Sequence, residues 1–264
     1  MLQKIAAEMN LSETAFVVRR GGASFDLRWF TPTTEVPLCG HATLAAAAVL
    51  LYHNGDSTIS TITFKTKSGD LVCRRGGDGC KVRMNFPLAD RTNAREDCEV
   101  SKRIVNLLNV EGRVRQIQYS PQTKKLLVET DLTRQELKHL SPNVRDMLRV
   151  QQDGTKDIRG VIVTTRSKNS SVHFHSRYFA PWVGIDEDPV TGSAHTVLGP
   201  FWGRKLGLQR MTAEQCSPRG GTLALVLDRT AGRIDITGDT SLVLRGEIFI
   251  QNRRESGSAL RSSL

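Results

Sequence analysis

The sequence predicts an α+β fold made of two pseudo-symmetric halves, each an antiparallel sheet wrapped around a central helix. The first observation behind this prediction is that short apolar segments alternate with turn-forming residues along the chain, as in antiparallel sheets. The second is that two glycine-containing turns, Cys39–Thr43 and Asp188–His195, each lead directly into an apolar run rich in small residues. Both turns are typical of helix N-termini, so one central helix falls in each part of the chain.

The first half is predicted to contain two helices, at 2–9 and from Gly40 to about Tyr52. Its predicted strands lie near 14–19, 25–30, 60–67, 70–75 and 80–86. The turns at 68–70 and 76–79 contain glycine beside aspartate, which suits the hairpins that join the last three strands. A polar stretch at 89–97 then indicates the crossing to the second half.

The second half is predicted to contain helices at 100–108, 133–139 and 143–149 and a further helix from Gly192. Its strands are predicted near 113–119, 124–130, 160–166, 172–180, 222–228, 233–237 and 241–250. We therefore divide the chain into a first half at 1–92, completed by a closing strand at 243–250, and a second half at 93–242. A polar tail at 251–264 is expected to be disordered.

The composition is that of a globular protein of the cytoplasm. Of the 264 residues, 39% are hydrophobic and 24% are charged, and no apolar run approaches the ~20 residues of a membrane span. The start carries an acidic residue and does not resemble a signal peptide. Five cysteines at irregular spacings argue against a disulfide framework and for a reducing compartment. We expect no membrane partner.

The net charge of +10 raises nucleic acid as an alternative partner, since a basic surface attracts phosphate. The 37 basic residues are, however, spread in ones and twos along the chain. None of the four densest pairs is interleaved with aromatic residues for base stacking. These pairs, most of which we expect to be solvated, are Arg19–Arg20, Arg74–Arg75, Lys124–Lys125 and Arg253–Arg254.

The two helix N-termini are candidate anion sites. Each offers N–H groups without an intrahelical acceptor and a partial positive charge. Two such ends in related halves suggest one shared ligand, and a carboxylate is the natural one. The alternative is that both turns merely cap core helices.

Titratable residues lie beside both helix starts. His41 is at the first, and Asp188, Ser193 and His195 are at the second, while Glu13 lies where a short helix gives way to a strand. A carboxylate beside an anion site has its pKa raised by like charge and desolvation, so it can transfer a proton at neutral pH. Taken singly, each of these residues is more often a cap or a structural residue than a catalytic one.

Four motifs, taken in order, resemble the PhzF-type phenazine biosynthesis-like family. They are the segments at 12–14, 35–45 and 188–195, together with the segment at 215–221, which is similar to the eukaryotic branch of that family. They extend over nearly the whole chain. The resemblance implies the diaminopimelate epimerase-like fold, with an active site in the cleft between the halves.

The resemblance also implies the chemistry and the residues that perform it. It implies an isomerase that needs no cofactor and moves a proton on a small carboxylate or amino-acid-like substrate, with Glu13 as acid/base. His41, Asp188 and Ser193 would position and polarise the substrate. The residues expected to bind its carboxylate, largely through backbone N–H groups, are Cys39, Gly40, Ala42, Gly192 and Ala194. A homodimer is a further expectation.

The chain departs from the family pattern at two places. Related racemases use one cysteine in each half, and Cys39 matches the first, but no thiol lies near Pro189. The family's opening strand and loop have no counterpart before Met1, so we expect apolar residues such as Phe16, Met84 and Phe86 to be exposed. This departure keeps open the alternative of a catalytically silent binding or scaffold protein.

We expect neither a metal nor a cofactor. His173 and His175 alternate on a strand, and Cys39 and His41 are closely spaced, but no Cys-x-x-Cys or His-Glu-x-x-His motif accompanies them. The glycines at 76–79 lack the Lys-Ser/Thr of a phosphate loop, and no Gly-x-Ser-x-Gly elbow is present.

Overall fold

A computed structural model describes residues 1–53, 58–150, 158–169 and 171–249 of the chain. The helices in these residues are α1 (Leu2–Met9), α2 (Gly40–Ala48), α3 (Glu99–Leu108), α4 (Arg134–His139), α5 (Val144–Val150) and α6 (Gly192–Leu206). A π-helical turn, Val49–His53, extends α2, and a short 3₁₀ turn spans Pro181–Val183. No described helix is both long and apolar enough to cross a membrane.

Fourteen described strands form one mixed sheet. They are β1 (Thr14–Gly21), β2 (Ser24–Phe30), β3 (Glu35–Val36), β4 (Thr61–Thr66), β5 (Gly69–Arg75), β6 (Lys81–Pro87), β7 (Asn93–Ala94), β8 (Val114–Ser120), β9 (Lys125–Thr130), β10 (Gly160–Arg166), β11 (Phe174–Phe179), β12 (Arg210–Gln215), β13 (Gly221–Asp228) and β14 (Arg233–Asp239). Their order across the sheet is β1-β2-β4-β5-β6-β14-β13-β12-β11-β10-β9-β8-β7, and β3 pairs with β2.

The two halves share one topology. In the first, β2 leads through α2 into β4, which pairs parallel with β2, and β5 and β6 follow as antiparallel neighbours. In the second, β11 leads through α6 into β12, which pairs parallel with β11, and β13 and β14 follow in the same way. A parallel pair of strands needs a long crossover connection. In each half that connection contains the central helix, so α2 and α6 occupy equivalent places. The predicted α+β fold with two pseudo-symmetric halves is confirmed, although the sheet is mixed rather than purely antiparallel.

The last strand, β14, joins the halves. It pairs antiparallel with β6 on one edge and with β13 on the other, so that Ile236 lies opposite both Met84 and Leu225. Hydrogen bonds of one sheet therefore run through both halves.

Two apolar clusters lie on opposite faces of the sheet. The inner cluster contains side chains from both α2 and α6, together with alternate strand residues such as Leu127 and Ile162. The outer cluster contains α3 and α5 and the intervening residues, such as Leu126 and Val161. The period-two alternation of strand side chains therefore assigns each residue of β9 and β10 to one face.

The predicted closing strand at 243–250 is wrong for the part that the structure describes, because residues 241–249 form no strand. β6 is flanked by β5 and β14, and β14 is flanked by β6 and β13, so neither offers a free edge there. Val243 is 93% exposed and Phe249 is 88% exposed. Residue 250 and the predicted tail at 251–264 lie outside the described residues, and the limits of the two halves stay a prediction.

The expected exposure of Met84 and Phe86 is also wrong. These residues are 3% and 1% exposed, since β14 covers the edge of β6 and their side chains join the inner cluster. Phe16 is half-buried and packs edge-on against Phe30, with ring centroids 5.5 Å apart. The strand with an open edge on this side is β1, at one end of the described sheet.

Candidate active site

The N-termini of α2 and α6 touch each other through two glycines. A Cβ placed on Gly40 would lie 3.1 Å from the Cα of Gly192 and 3.4 Å from its nitrogen. Both residues are the first of their helix, so the free N–H groups of both first turns meet at one place. The predicted pair of helix ends is thus brought together by backbone contact, and a Cβ on Gly40 would be closer to Gly192 than ordinary van der Waals contact.

A histidine between two carboxylates lies at this junction. His41 Nε2 lies 2.9 Å from Glu13 Oε2, and its Nδ1 lies 3.5 Å from Asp188 Oδ1. The Ser12 hydroxyl is 3.2 Å from the same Nε2. The Glu13 and Asp188 side chains are only 6% and 7% exposed, whereas that of His41 is 21% exposed. Glu13 and His41 from the first half and Asp188 from the second therefore form a single buried polar group.

Burial and charge act against each other on His41 and Asp188. Burial lowers the pKa of His41, but the contacts with Cys39 and Glu13 and the charge of Asp188 together raise it from 6.5 to about 11. Burial raises the pKa of Asp188 and the charge of Glu13 adds to this, while His41 and Thr191 lower it. At neutral pH, an imidazolium therefore lies between the two carboxyl groups.

Asp188 is held by a network that ends on β12. The Thr191 hydroxyl donates to Asp188 Oδ2 at 2.5 Å. The Gln215 amide donates to the Asp188 carbonyl at 2.6 Å and accepts from the Thr191 N–H at 2.8 Å. Gln215 is buried, so its amide fixes the turn before α6 from inside the protein.

Cys39 caps α2 with its sulfur. Its Sγ accepts from the Ala42 N–H at 3.4 Å and lies 3.8 Å from His41 Nδ1. Burial raises the pKa of the Cys39 thiol to about 11, and the contact with His41 offsets this only in part. The side chain is therefore a neutral thiol at neutral pH, which makes it a poor base or nucleophile.

The junction opens into a cleft of about 1210 Å³. Of the predicted site residues, the structure places seven on its wall: Glu13, Cys39, Gly40, His41, Asp188, Gly192 and Ser193. Their roles stay predictions, but the structure brings all seven together.

Two of the predicted substrate-binding residues are not on this wall. Ala42 and Ala194 are 4% and 1% exposed and belong to the inner cluster. The Ala42 N–H is bonded to the Cys39 sulfur, and the Ala194 N–H is bonded to the Thr191 carbonyl at 3.2 Å. Both N–H groups thus have partners within the protein, and the binding roles of these two residues stay predictions.

His195 is a structural residue. It is fully buried, its Nδ1 lies 2.7 Å from the Thr191 carbonyl, and its ring stacks on Phe174. Burial lowers its pKa from 6.5 to about 4, so the ring stays neutral at neutral pH.

The sequence reasoning missed two residues on the cleft wall, Lys125 and Tyr178, and the supporting Gln215. Lys125 was expected on a solvated face, yet it is only 7% exposed. It starts a strand whose six residues are all buried, which is visible only in the tertiary structure. Gln215 falls within the family motif at 215–221, whereas the sequence pattern does not predict β12 itself.

In the part of the chain that the structure describes, two groups of side chains have the composition of a metal site. The atoms of Glu13, Cys39 and His41 that can bind a metal lie within 4.8 Å of one another, and so do those of a second group, His175, Glu214 and Cys216. In the second group, however, Glu214 forms a double hydrogen bond with Arg134 at 2.6 and 2.8 Å. In both groups burial raises the pKa of the thiol, which disfavours the thiolate that a metal prefers.

Comparison with known proteins points to one family. Residues 1–246 match the phenazine biosynthesis-like proteins, PhzC-PhzF. A human phenazine biosynthesis-like domain-containing protein is 45% identical over 261 residues, with 94% of this chain and 88% of the relative covered. An uncharacterized isomerase of Pseudomonas aeruginosa is 42% identical over 250 residues, with coverage of 94% and 87%.

The fold agrees with this match. The crystal structure of a PhzC/PhzF protein from Clostridium difficile superimposes with a TM-score of 0.78 at 37% identity, covering 94% of this chain and 87% of the other. Together these similarities support an isomerase-like role.

Proposed function

Because the chain belongs to the PhzC-PhzF family of phenazine biosynthesis-like proteins, we propose that it is an isomerase that moves a proton on a small carboxylate or amino-acid-like substrate without a cofactor. The observation that carries this proposal is the cleft itself. A buried carboxylate, Glu13, faces the same cavity as the two joined helix N-termini.

The helix ends bind the substrate carboxylate in this proposal. The first two residues of each helix, Gly40 and His41 in α2 and Gly192 and Ser193 in α6, line the cleft. N–H groups at a helix start carry partial positive charge. When a proton leaves the carbon beside the carboxylate, its electron pair spreads onto the carboxylate oxygens. Fixed N–H donors at that place stabilise the extra charge, as in other sites built for a developing oxyanion.

Glu13 transfers the proton. Its carboxylate takes the proton from carbon and becomes a carboxylic acid, which exchanges its proton with solvent and then donates a proton to the same anion at another position. No atom is gained or lost, so the product is an isomer. His41, 2.9 Å from Glu13, orients the carboxylate and stays protonated, and Asp188 holds His41 from the other side. Ser193 presents its hydroxyl at the cleft wall to position the substrate.

The test is solvent deuterium exchange. Candidate amino-acid-like carboxylates are incubated with the protein in D₂O, and loss of a carbon-bound proton signal is followed by NMR. Glu13→Gln is expected to slow exchange by about 10²- to 10⁴-fold, the usual contribution of a positioned acid/base. Glu111→Gln, at an exposed position away from the cleft, serves as the matched control.

The outcomes separate the two function classes. Exchange that depends on Glu13 supports the isomerase. Carboxylate binding without any exchange, across the panel and in the unchanged protein, would overturn the isomerase in favour of a silent binding protein.

A further inference from the structure

Lys125 carries a buried positive charge on the cleft wall. Its side chain belongs to a residue that is 7% exposed, and no described carboxylate lies within ion-pair distance of it. Among the described residues, its side chain has one hydrogen bond, a long contact of 3.5 Å from Nζ to the Thr123 carbonyl. An ammonium group in such surroundings is under-solvated, since three donors have one weak acceptor.

The strand register directs this side chain into the cleft. Lys125 is on the same face of β9 as Leu127, whose side chain lies in the inner cluster. Gly160 is its neighbour on β10, and a Cβ on Gly160 would lie 2.0 Å from the Tyr178 hydroxyl. The Tyr178 ring therefore lies across Gly160, and its centroid is 5.5 Å from Lys125 Nζ. The glycine makes room for the aromatic ring that packs beside the ammonium.

The electrostatics at Lys125 favour an anionic ligand. Burial lowers its pKa from 10.5 to about 8, and the Asp188 charge counteracts this. An anion placed beside Nζ would supply the missing acceptor and raise the pKa of Lys125 again. The helix ends already provide for one carboxylate of the substrate, and Lys125 lies on the wall of the same cleft.

We propose that Lys125 is the receptor for a second acidic group, so that the substrate of this cleft is a dianion with one carboxylate on the helix ends and a further carboxylate or phosphate on Lys125. This inference rests on the proposed function, since it takes the helix ends as the site of the first carboxylate. Lys125 is a binding and specificity residue here, and no proton transfer is assigned to it.

Calorimetric titration of chain-matched ligands tests this proposal. Succinate is compared with butyrate, glutarate with valerate and adipate with hexanoate, and phosphonopropionate beside succinate distinguishes a phosphate-like group from a carboxylate. The unchanged protein is expected to bind at least one dianion more tightly than its matched monoanion. The proposal is overturned if every matched pair binds equally well.

Lys125→Met is expected to weaken the preferred dianion about 10- to 100-fold, the range for losing a charge-assisted contact. Binding of the matched monoanion should not change. Lys124→Met, at the exposed neighbouring position, is the control and should leave both affinities unchanged. A Lys125→Met variant that loses both ligands equally would show a structural role and overturn the proposal. Lys125→Gln repeats the measurement if the methionine variant does not fold.

These readouts are independent of the exchange assay. If Glu13-dependent exchange persists while the dianion preference is absent, only the role of Lys125 fails. If no carboxylate binds at all, the shared helix-end site and with it the proposed function fail.

Discussion

Gly40 and Gly192 are in backbone contact, although they begin helices in different halves of the chain. The nearest atoms to a Cβ on Gly40 are the Cα, nitrogen and carbonyl carbon of Gly192, at 3.1, 3.4 and 3.8 Å. Backbone atoms at a helix start cannot rotate away as a flexible side chain can. The contact therefore fixes how far apart the two sets of N–H donors are, and this distance determines whether one small carboxylate can reach both.

Gly40→Ala should for this reason separate the helix ends. We expect it to weaken carboxylate binding and to lower the free energy of unfolding by about 1–3 kcal/mol, as for other overpacked sites. Urea unfolding and calorimetric titration with a small carboxylate measure the two effects. Gly246→Ala, where a Cβ would meet nothing within 4 Å, is the control. Unchanged binding in Gly40→Ala would contradict the shared site.

The raised pKa of His41 gives a second prediction, on pH. The folded-state pKa lies above the ordinary 6.5, so protonated His41 stabilises the fold. This stabilisation is fully present below pH 6.5 and is lost as the pH rises through about 11. The melting temperature of the unchanged protein should therefore fall toward that of His41→Gln between these two pH values.

His139→Gln is the matched control, since His139 is exposed on α4. The difference in melting temperature between His139→Gln and the unchanged protein should stay constant over the same pH range. If the difference in melting temperature between the unchanged protein and His41→Gln instead grows with pH, His41 is neutral in the folded protein.

The sequence alone predicts that the two helix ends meet, because both N-termini carry a local signal. This signal is a glycine-containing turn that leads into a run of small residues. Residues at a turn are positioned by the nearby chain, so Glu13, His41 and Asp188 could be assigned from motifs. Ala42 and Ala194 could not be judged in the same way. Whether their N–H groups are free depends on one rotamer of Cys39 and on the Thr191 carbonyl, and sequence spacing reports neither.

Lys125 and β12 needed the tertiary structure. A lysine at a strand start is normally solvated, and it is the pairing of β9 with β10 that encloses this one. Strand β12 contains Met211 and Ala213 inward but also the buried Gln215, so its apolar alternation is too weak to recognise. The closing strand failed for the opposite reason. Its residues are largely apolar, including Val243, Leu244, Ile248 and Phe249, but no described edge of the sheet pairs with it.

Gln215→Leu should destabilise the turn that holds Asp188. The variant keeps the approximate size of the side chain but removes the bonds to the Asp188 carbonyl and the Thr191 N–H. We expect the free energy of unfolding to fall by about 1–3 kcal/mol for each buried group left without a partner. Gln209→Leu, at an exposed position, should change it little, and urea unfolding compares the two. Equal stability of both variants would mean that the amide network is dispensable.

The exposed apolar segment after β14 predicts self-association. Val243, Leu244 and Phe249 are 93%, 85% and 88% exposed, in a stretch without secondary structure. At the end of the described sheet, β1 offers an edge with no strand partner, and Val18 on it is 62% exposed. Open strand edges and extended apolar segments pair readily between molecules.

Val243→Lys should therefore raise the protein concentration at which light scattering begins to increase. Ser241→Lys is the matched control, because it adds the same charge to the same segment and removes no apolar surface. If both lysine variants suppress scattering equally, net charge alone controls association. If only Val243→Lys does so, the apolar side chain is the contact that joins the molecules.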